Sequence, residues 1–390
     1  MQQRPLILLT ILFFMMGFIT CLNDILVPFL KSVFNLDYSQ ASLVQLSFFG
    51  AYGLASIPAS KLIEKIGYHR GIILGFATAA LGCLLFYPAV SAHNYYVFLM
   101  ALFVLAIGVV ILQVAGNPFV AVIGPAETAS SRLTMTQAFN SLGTFVAPFF
   151  GSYLILKNLS ETSSANNVKI PYLFIALVLI IIAIILSRIQ FPKIEMTKEK
   201  SSWKETLSNK RLVLGMISIF AYVGAEVAIG TFLINFVMET IELTEADAAS
   251  MVAIYWGGAM VGRFLGIFTL KFFKPENVLS AHAVTAAALV IISITSTGLI
   301  SIYALILVGL CNSIMFPTIF TLAIKGLKST EGASGLLATC IIGGAIVPYL
   351  TGIIADVEGL RTAFILPIIC YAYIIFYAWK MFKSTNQLTT

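Results

Sequence analysis

The sequence predicts an all-α, polytopic membrane protein with twelve transmembrane helices in two six-helix, pseudo-repeated halves. Three observations support this class: the composition, the number of long apolar segments, and a repeat between the two halves. Hydrophobic residues make up 59% of the 390 residues, and charged residues make up only 10%. Because soluble domains carry about 25% charged residues, this chain cannot bury its apolar surface inside a water-soluble globule.

Twelve apolar segments are long enough to cross a bilayer, which requires about 20 residues for each helix. Their predicted limits are 6–30, 39–61, 70–90, 94–122, 132–156, 170–190, 210–238, 245–270, 276–297, 299–324, 332–354 and 361–382. The first is longer than a signal-peptide core of about 7–15 residues, so we expect it to be retained. A polar stretch at 188–211 predicts an N-terminal half over 1–190, a cytoplasmic linker over 191–209 and a C-terminal half over 210–390.

The basic residues predict that both termini are cytoplasmic. With the amino terminus inside, every Lys and Arg falls on the cytoplasmic side except Lys31, Lys157, Lys169 and Arg361, in agreement with the positive-inside rule. The net charge of +6 is then explained by topology and by attraction to anionic membrane lipid. No nucleic-acid partner is needed.

An internal repeat relates the two halves. Residues 35–68 align loosely with 242–275, and SLGTFVAPFFG aligns with IIGGAIVPYLTG. Parallel repeats of this kind predict halves related by an axis along the membrane normal, with a substrate site between them near the midplane. The glycines and prolines at which helices are predicted to bend are Pro118, Gly143, Pro148, Gly343 and Pro348.

The stretch GFITCLNDILVP places a carboxylate, Asp24, inside the first apolar segment. An Asp at the centre of a membrane helix costs about 2.5–3.5 kcal/mol, so such a residue usually faces a cavity and is functional. Asn23 adjoins it, Thr20 lies one turn earlier on the same face, and Pro28 removes a backbone donor one turn later. We predict that Asp24, with Asn23 and Thr20, binds a coupling ion. The alternative is that Asp24 caps a helix end or pairs with a neighbour.

Polar side chains form stripes on the fourth and fifth segments. They are Gln113 and Asn117 on the fourth, and Gln137, Asn140, Ser141 and Thr144 on the fifth. One polar stripe on an apolar helix indicates contact with water or a polar ligand. Gln113, Asn117, Gln137 and Asn140 are therefore predicted to bind substrate. For Gln113 and Asn117, interhelical hydrogen bonds, at about 0.6 kcal/mol each, are the alternative.

The second half contributes three further candidates. Glu226 in the seventh segment is a second intramembrane carboxylate and is predicted to share in ion coupling. Trp256 and Asn312 are predicted to bind substrate, because aromatic faces and a few placed amides are the usual lining of a ligand pocket. Simple packing is the alternative for Trp256.

Two loops form a second matching pair. The loop KLIEKIGYHRG after the second segment has a counterpart after the eighth with Arg263 and Lys271. One interpretation of each loop is a latch that pairs with neighbouring helix ends and holds the two halves in one state. The alternative is that its basic residues are in water and only set the orientation of the chain in the membrane.

Residue types that indicate enzymes or metal sites are absent from the sequence in the required patterns. The five cysteines lie singly in apolar runs and the three histidines are scattered, so neither a disulfide framework nor a zinc site is indicated. No nucleophile–base pair or phosphate-binding loop is recognisable. We therefore expect no enzymatic activity and no cofactor.

The chain resembles the major facilitator superfamily over its whole length, and KLIEKIGYHR is similar to that superfamily's loop 2–3 motif. Within it, four strings resemble the fucose–galactose–hexose permease family: FITCLNDILVPFLK, LQVAGNPFVAVIGP, ETASSRLTMTQAFNSLGTFVAP and YVGAEVAIGTFLINF. The resemblance implies import of a monosaccharide with a coupling cation across the bacterial inner membrane, by a chain that functions as a monomer. It also implies that Asp24 is a key acid.

One position departs from the fucose–proton branch of that family. Where that branch has a Glu in the fourth segment, this chain has Gln113, as in the glucose/galactose branch, and Gln cannot exchange a proton. We therefore expect a glucose- or galactose-type symporter that works by alternating access, with sodium at Asp24, because oxygen ligands suit hard cations. Proton-coupled fucose uptake and a non-transporting membrane sensor are the alternatives.

Overall fold

The computed structural model describes residues 3–34, 38–92, 94–151, 166–189, 207–241, 245–327 and 330–386. Within these ranges all regular elements are helices, and no strand occurs. The all-α class is therefore confirmed. Most of the predicted linker, over 191–209, lies outside the described residues.

Six long helices account for the predicted spans of the first half. They are α1 (Gln3–Phe34), α2 (Tyr38–Ile66), α3 (Tyr68–Ala92), α4 (Tyr95–Val122), α5 (Ala129–Gly151) and α6 (Asn166–Arg188), with a short 3₁₀ turn at Ala126–Thr128. Only Gly67 separates α2 from α3, and its φ of 85° is a conformation that glycine adopts without strain. This glycine allows the chain to reverse within one residue.

The second half is more interrupted than the sequence predicts. Its helices are α7 (Lys210–Thr240), α8 (Glu245–Phe272), α9 (Pro275–Thr295), α10 (Gly298–Asn312), α11 (Met315–Ile324), α12 (Thr330–Thr339), α13 (Gly343–Glu358), α14 (Leu360–Ala363) and α15 (Ile365–Asn386). Each of the last three predicted spans is divided in two, the eleventh by a 3₁₀ turn at Cys340–Ile342. An apolar run is equally apolar on both sides of a break, so composition cannot reveal it.

The described helices have the properties of membrane spans. Nine stretches within the described ranges are long and apolar enough to cross a bilayer. Large apolar side chains on α6, such as Leu177, Ile181 and Ile184, are exposed. A surface of this kind is expected where lipid tails rather than water cover the protein.

Contacts divide the chain into two units. The first unit consists of residues 1–123, 139–200 and 329–339, and in it α3 packs on α4 and α6 while α12 packs on α2 and α4. The second unit consists of residues 124–138, 201–328 and 340–390, and in it α7 packs on α13 and α15 while α9 packs on α10 and α15. The predicted division at 1–190 and 210–390 concerns the sequence halves and remains a prediction.

Candidate functional site

In the first unit, α1 and α5 cross at van der Waals distance. A Cβ atom on Gly17 would overlap the carbonyl oxygen of Asn140, and one on Gly143 would overlap the carbonyl oxygen of Phe14. Small residues permit this close approach of two backbones inside a membrane. Gly143, a predicted hinge, is therefore required by the packing, and its role in bending remains a prediction.

Polar side chains of α5 bind the backbone of α1 at this crossing. The Asn140 amide nitrogen donates to the carbonyl oxygen of Phe13 at 3.0 Å. The Thr144 hydroxyl donates to the carbonyls of Gly17 at 3.4 Å and of Asn140 at 3.2 Å. The predicted stripe thus makes interhelical hydrogen bonds, and any contact of Asn140 with a ligand would have to be made beside the bond to Phe13.

The predicted ion site lies on α1. The helix continues to Phe34, so Asp24 lies in its interior, and the alternative that Asp24 caps a helix end does not apply. Thr20 is half-buried. The side chains of Asn23, Asp24 and Pro28 lie outside the described part of the structure, so their role remains a prediction.

On α4, Gln113 carries a buried acceptor that needs explanation. Its Oε1 atom is buried and has no hydrogen-bond partner among the described residues, although the residue as a whole is half-exposed. Buried polar atoms are nearly always paired, and an unpaired acceptor marks a place for a ligand or water. Asn117, one turn later, is buried, and α4 continues past Pro118 to Val122.

The loop between α2 and α3 contacts α12 within the first unit. The hydroxyls of Tyr68 and Thr330 are 2.6 Å apart, and Ser334 donates to the Val114 carbonyl at 3.1 Å. Beyond the predicted end of the second span, burial and the nearby Glu331 carboxylate raise the pKa of Glu64. Tyr68 of the KLIEKIGYHRG string thus contacts α12, a helix of the second half of the sequence. This contact favours the latch interpretation for the loop.

In the second unit, α7 and α13 cross as closely as α1 and α5 do. A Cβ atom on Gly343 would overlap the carbonyl oxygen of Phe220, and one on Gly224 would overlap the side chain of Val347. Gly143 and Gly343, matched by the sequence repeat, therefore occupy equivalent crossings. Pro348 follows within α13. The side chain of Pro148 lies outside the described residues.

A buried hydrogen-bonded chain links four helices of the second unit. The Asn312 amide nitrogen donates to the Tyr255 hydroxyl at 2.9 Å, and the Tyr371 hydroxyl donates to Asn312 Oδ1 at 2.8 Å. Tyr255 in turn donates to the backbone carbonyl of Glu226 at 3.1 Å. Asn312, predicted to bind substrate, is fully buried with both ends of its amide occupied, so this geometry favours a positioning role.

The sequence interpretation missed Tyr371. A tyrosine in an apolar terminal helix resembles a membrane-interface anchor, and only the fold brings its hydroxyl to Asn312. Trp256, next to Tyr255, is 39% exposed. Its ring packs over Gly230 of α7 and edge-on against Tyr255 at 5.1 Å between centroids.

Glu226 is the described intramembrane carboxylate of the second unit. It is 9% exposed, and its Oε1 has no hydrogen-bond partner among the described residues. Arg263 of α8 interacts with it electrostatically. The predicted eighth segment, 245–270, contains Arg263, yet the residue was also assigned to the inner loop that follows. The loop assignment is wrong, because α8 continues more than two turns beyond Arg263, to Phe272.

An all-helical membrane architecture with interrupted helices and buried polar groups is typical of a secondary transporter. The profile of the Major Facilitator Superfamily matches residues 7–341. The chain is 51% identical to the "Glucose/galactose transporter" of Brucella abortus (biovar 1, strain 9-941), over 96% of this chain and 93% of that protein. It is 35% identical to the "L-fucose-proton symporter" of Escherichia coli (strain K12), over 98% of this chain and 94% of that protein.

The fold is similar to that of a solved relative. The crystal structure of the E. coli fucose:proton symporter matches with a TM-score of 0.89 and 33% identity, covering 97% of this chain and 99% of that chain. The chain belongs to the Major Facilitator Superfamily and, within it, to the fucose–galactose–hexose permease family. The resemblance found in the sequence strings is thus confirmed.

Proposed function

We propose that this protein imports a hexose of the glucose or galactose type together with a cation, by alternating access. The observation that carries the substrate class is the 51% identity, along nearly the whole chain, to a protein named as a glucose/galactose transporter. The Gln113 Oε1 atom, which has no hydrogen-bond partner among the described residues, supports it, because sugar hydroxyls are donors suited to a buried amide oxygen. The protein is a transporter and not an enzyme.

The proposed sugar contacts are amides and one aromatic face. They are Gln113, Asn117, Gln137, Asn140, Trp256 and Asn312, and the Asn312 amide is held in place by Tyr255 and Tyr371. Each amide truncated to Ala should lose about 0.5–1.5 kcal/mol of sugar binding. Isothermal titration with glucose and with galactose measures this loss directly.

We propose sodium at Asp24 as the driving ion. Coupling requires a group whose affinity for the ion differs between the transport states, and a carboxylate in an apolar helix satisfies this because it is costly when bare. The neighbouring oxygens of Thr20 and Asn23 suit a hard cation. Gln113 cannot exchange a proton, which separates this chain from a mechanism based on an acid at that position.

The proposal extends to the placement of the chain. Both termini are proposed to face the cytoplasm of a bacterial inner membrane, which the distribution of basic residues supports. One chain is the proposed transporting unit, and its proposed partners are a monosaccharide, sodium or protons, and membrane lipid, with no nucleic acid.

Counterflow of labelled hexoses in proteoliposomes, with sodium and pH gradients imposed separately, tests the function. We expect glucose or galactose to accumulate with an inward sodium gradient. Asp24→Asn should abolish that accumulation while sugar-for-sugar exchange continues. The matched control is Asp356→Asn, at an exposed carboxylate near the end of α13, which should accumulate sugar like the wild type.

Proton-coupled fucose uptake is the second candidate, favoured by the 35% identity to the E. coli symporter. It would be established by fucose accumulation that follows a pH gradient in sodium-free buffer and does not respond to added sodium. A complete lack of accumulation and exchange of all three sugars would instead indicate the non-transporting sensor.

A further inference from the structure

The break between α10 and α11 exposes backbone carbonyls inside the second unit. At this point the Ser313 nitrogen reaches only the Leu310 carbonyl, at 3.4 Å, in a 3₁₀ pattern. The Ser313 carbonyl accepts from Arg263 Nε at 3.3 Å, and the Cys311 carbonyl is 3.0 Å from His282 Nδ1. In transporters, discontinuous helices of this kind place polar groups at ion and substrate sites.

Glu226 faces the same region. Its carboxyl is buried, has one oxygen without a partner among the described residues, and interacts electrostatically with the Arg263 guanidinium. The other titratable groups that act on it are tyrosines: Tyr222 on α7, Tyr255 on α8 and Tyr371 on α15. Tyrosines stay neutral at physiological pH, so Arg263 is the one opposing charge in this part of the described structure.

The occupant that fits this carboxyl is a proton. A sodium ion beside Glu226 would be repelled by the guanidinium of Arg263, which already occupies the Ser313 carbonyl. A proton is added to Glu226 without displacing Arg263, and the unpaired Oε1 is then able to donate.

Arg263 also connects this carboxyl to the start of α5. Its Nη1 donates to the Gln137 carbonyl at 3.4 Å, within the second unit. A charged Glu226 attracts the guanidinium that bonds to the carbonyls of Gln137 and Ser313, and a neutral, protonated Glu226 does not. Gln137 lies on the polar stripe of α5 that is proposed to bind sugar. Proton binding at Glu226 therefore changes how firmly Arg263 holds the Gln137 backbone, and with it the affinity for sugar.

We infer that Glu226 is a proton-exchanging site, separate from the sodium site at Asp24, and that Arg263 links its protonation to sugar binding through the Gln137 carbonyl. This inference rests on the proposed function, because the linked ligand is the sugar. By reciprocity, sugar binding must then change the number of protons the protein holds. The proton is exchanged with water, and no other reactant is required.

Proton exchange on sugar binding tests the inference without transport. The purified full chain in detergent, with sodium present and very little buffer, is mixed with D-glucose or D-galactose across a pH series, and a pH-indicator dye reports proton uptake or release. Titration calorimetry under the same conditions reports sugar binding itself. The wild type should bind sugar and exchange protons, with the amount depending on pH.

Glu226→Gln should bind sugar with no proton exchange. The matched control, Glu239→Gln, changes an exposed carboxyl on the same helix and should behave as the wild type does. Arg263→Gln provides a second variant should Glu226→Gln fail to fold: without the opposing charge, proton exchange should move to higher pH.

Three outcomes overturn the inference: sugar binding by the wild type without proton exchange, exchange that persists in Glu226→Gln, or an unchanged pH profile in Arg263→Gln. Absence of sugar binding by the wild type would overturn the proposed function, and this inference with it.

Discussion

The crossing of α1 with α5 in the first unit and the crossing of α7 with α13 in the second share a backbone geometry but differ in chemistry. In both, a matched glycine, Gly143 or Gly343, lies against a carbonyl of the partner helix. At the first crossing, Asn140 and Thr144 bind carbonyls of α1. Cys340 and Gly344 stand at the matching positions of the repeat; Gly344 has no side chain, and the Cys340 thiol is only a weak donor.

The shared glycine shows what a close helix crossing requires, whereas the polar side chains are specific to one unit. Close helix approach needs a glycine in either unit, because any Cβ would meet backbone. Side-chain hydrogen bonds from an amide and a hydroxyl are made at the first crossing, and the matching positions of the second carry neither group. The second unit instead places its polar groups inside, in the chain formed by Asn312, Tyr255 and Tyr371.

The largest effect is expected from the two matched glycines. Gly143→Ala and Gly343→Ala each force a methyl group onto backbone that cannot rotate away, so each should lower the free energy of unfolding by more than about 3 kcal/mol. Melting temperature in detergent measures this. Gly257→Ala is the matched control, because no atom lies within 4 Å of its added Cβ, and it should melt no lower than the wild type. Normal stability of one of the first two variants would show that the crossings are not equivalent.

A smaller loss is expected from the polar chain of the second unit. Asn312→Leu keeps the volume but leaves the hydroxyls of Tyr255 and Tyr371 without their shared partner, which should cost about 2–3 kcal/mol of stability. Tyr371→Phe, which removes one end of the chain, should cost less. If Asn312→Leu melted like the wild type, the second unit would not depend on internal polar contacts.

The smallest effect is expected when Asn140 of the first crossing is replaced by cysteine, the residue at the matching position of the second crossing. Asn140→Cys removes the bond to the Phe13 carbonyl and should cost about 1 kcal/mol of stability. On the proposed function it should also weaken sugar binding, as titration calorimetry would show. Cys340→Ala at the matching position is the control and should change neither quantity. Equal sugar affinity of Asn140→Cys and the wild type would mean that Asn140 serves packing alone.

Much of the fold was readable from the sequence by itself. The apolar segments predicted the helices, the repeat matched Gly143 with Gly343, and the strings around Asp24 and Gln113 predicted the family. These features are local or periodic, so they can be recognised in the sequence without the structure. Interhelical bonding was weighed for Gln113 and Asn117 but not for Asn140, and no spacing along the chain identifies Phe13 as the partner of Asn140.

The tertiary structure alone decided the partners and the breaks. Only the structure shows that the Arg263 side chain donates to the Ser313 carbonyl and that the Tyr371 hydroxyl donates to Asn312. The interruption at Ser313 lies within one predicted span, 299–324, and the polar pair Asn312–Ser313 did not lead us to predict a break there. Hydrogen bonds between distant helices depend on the rotation and depth of each helix, and these are set by packing against neighbours rather than by local composition.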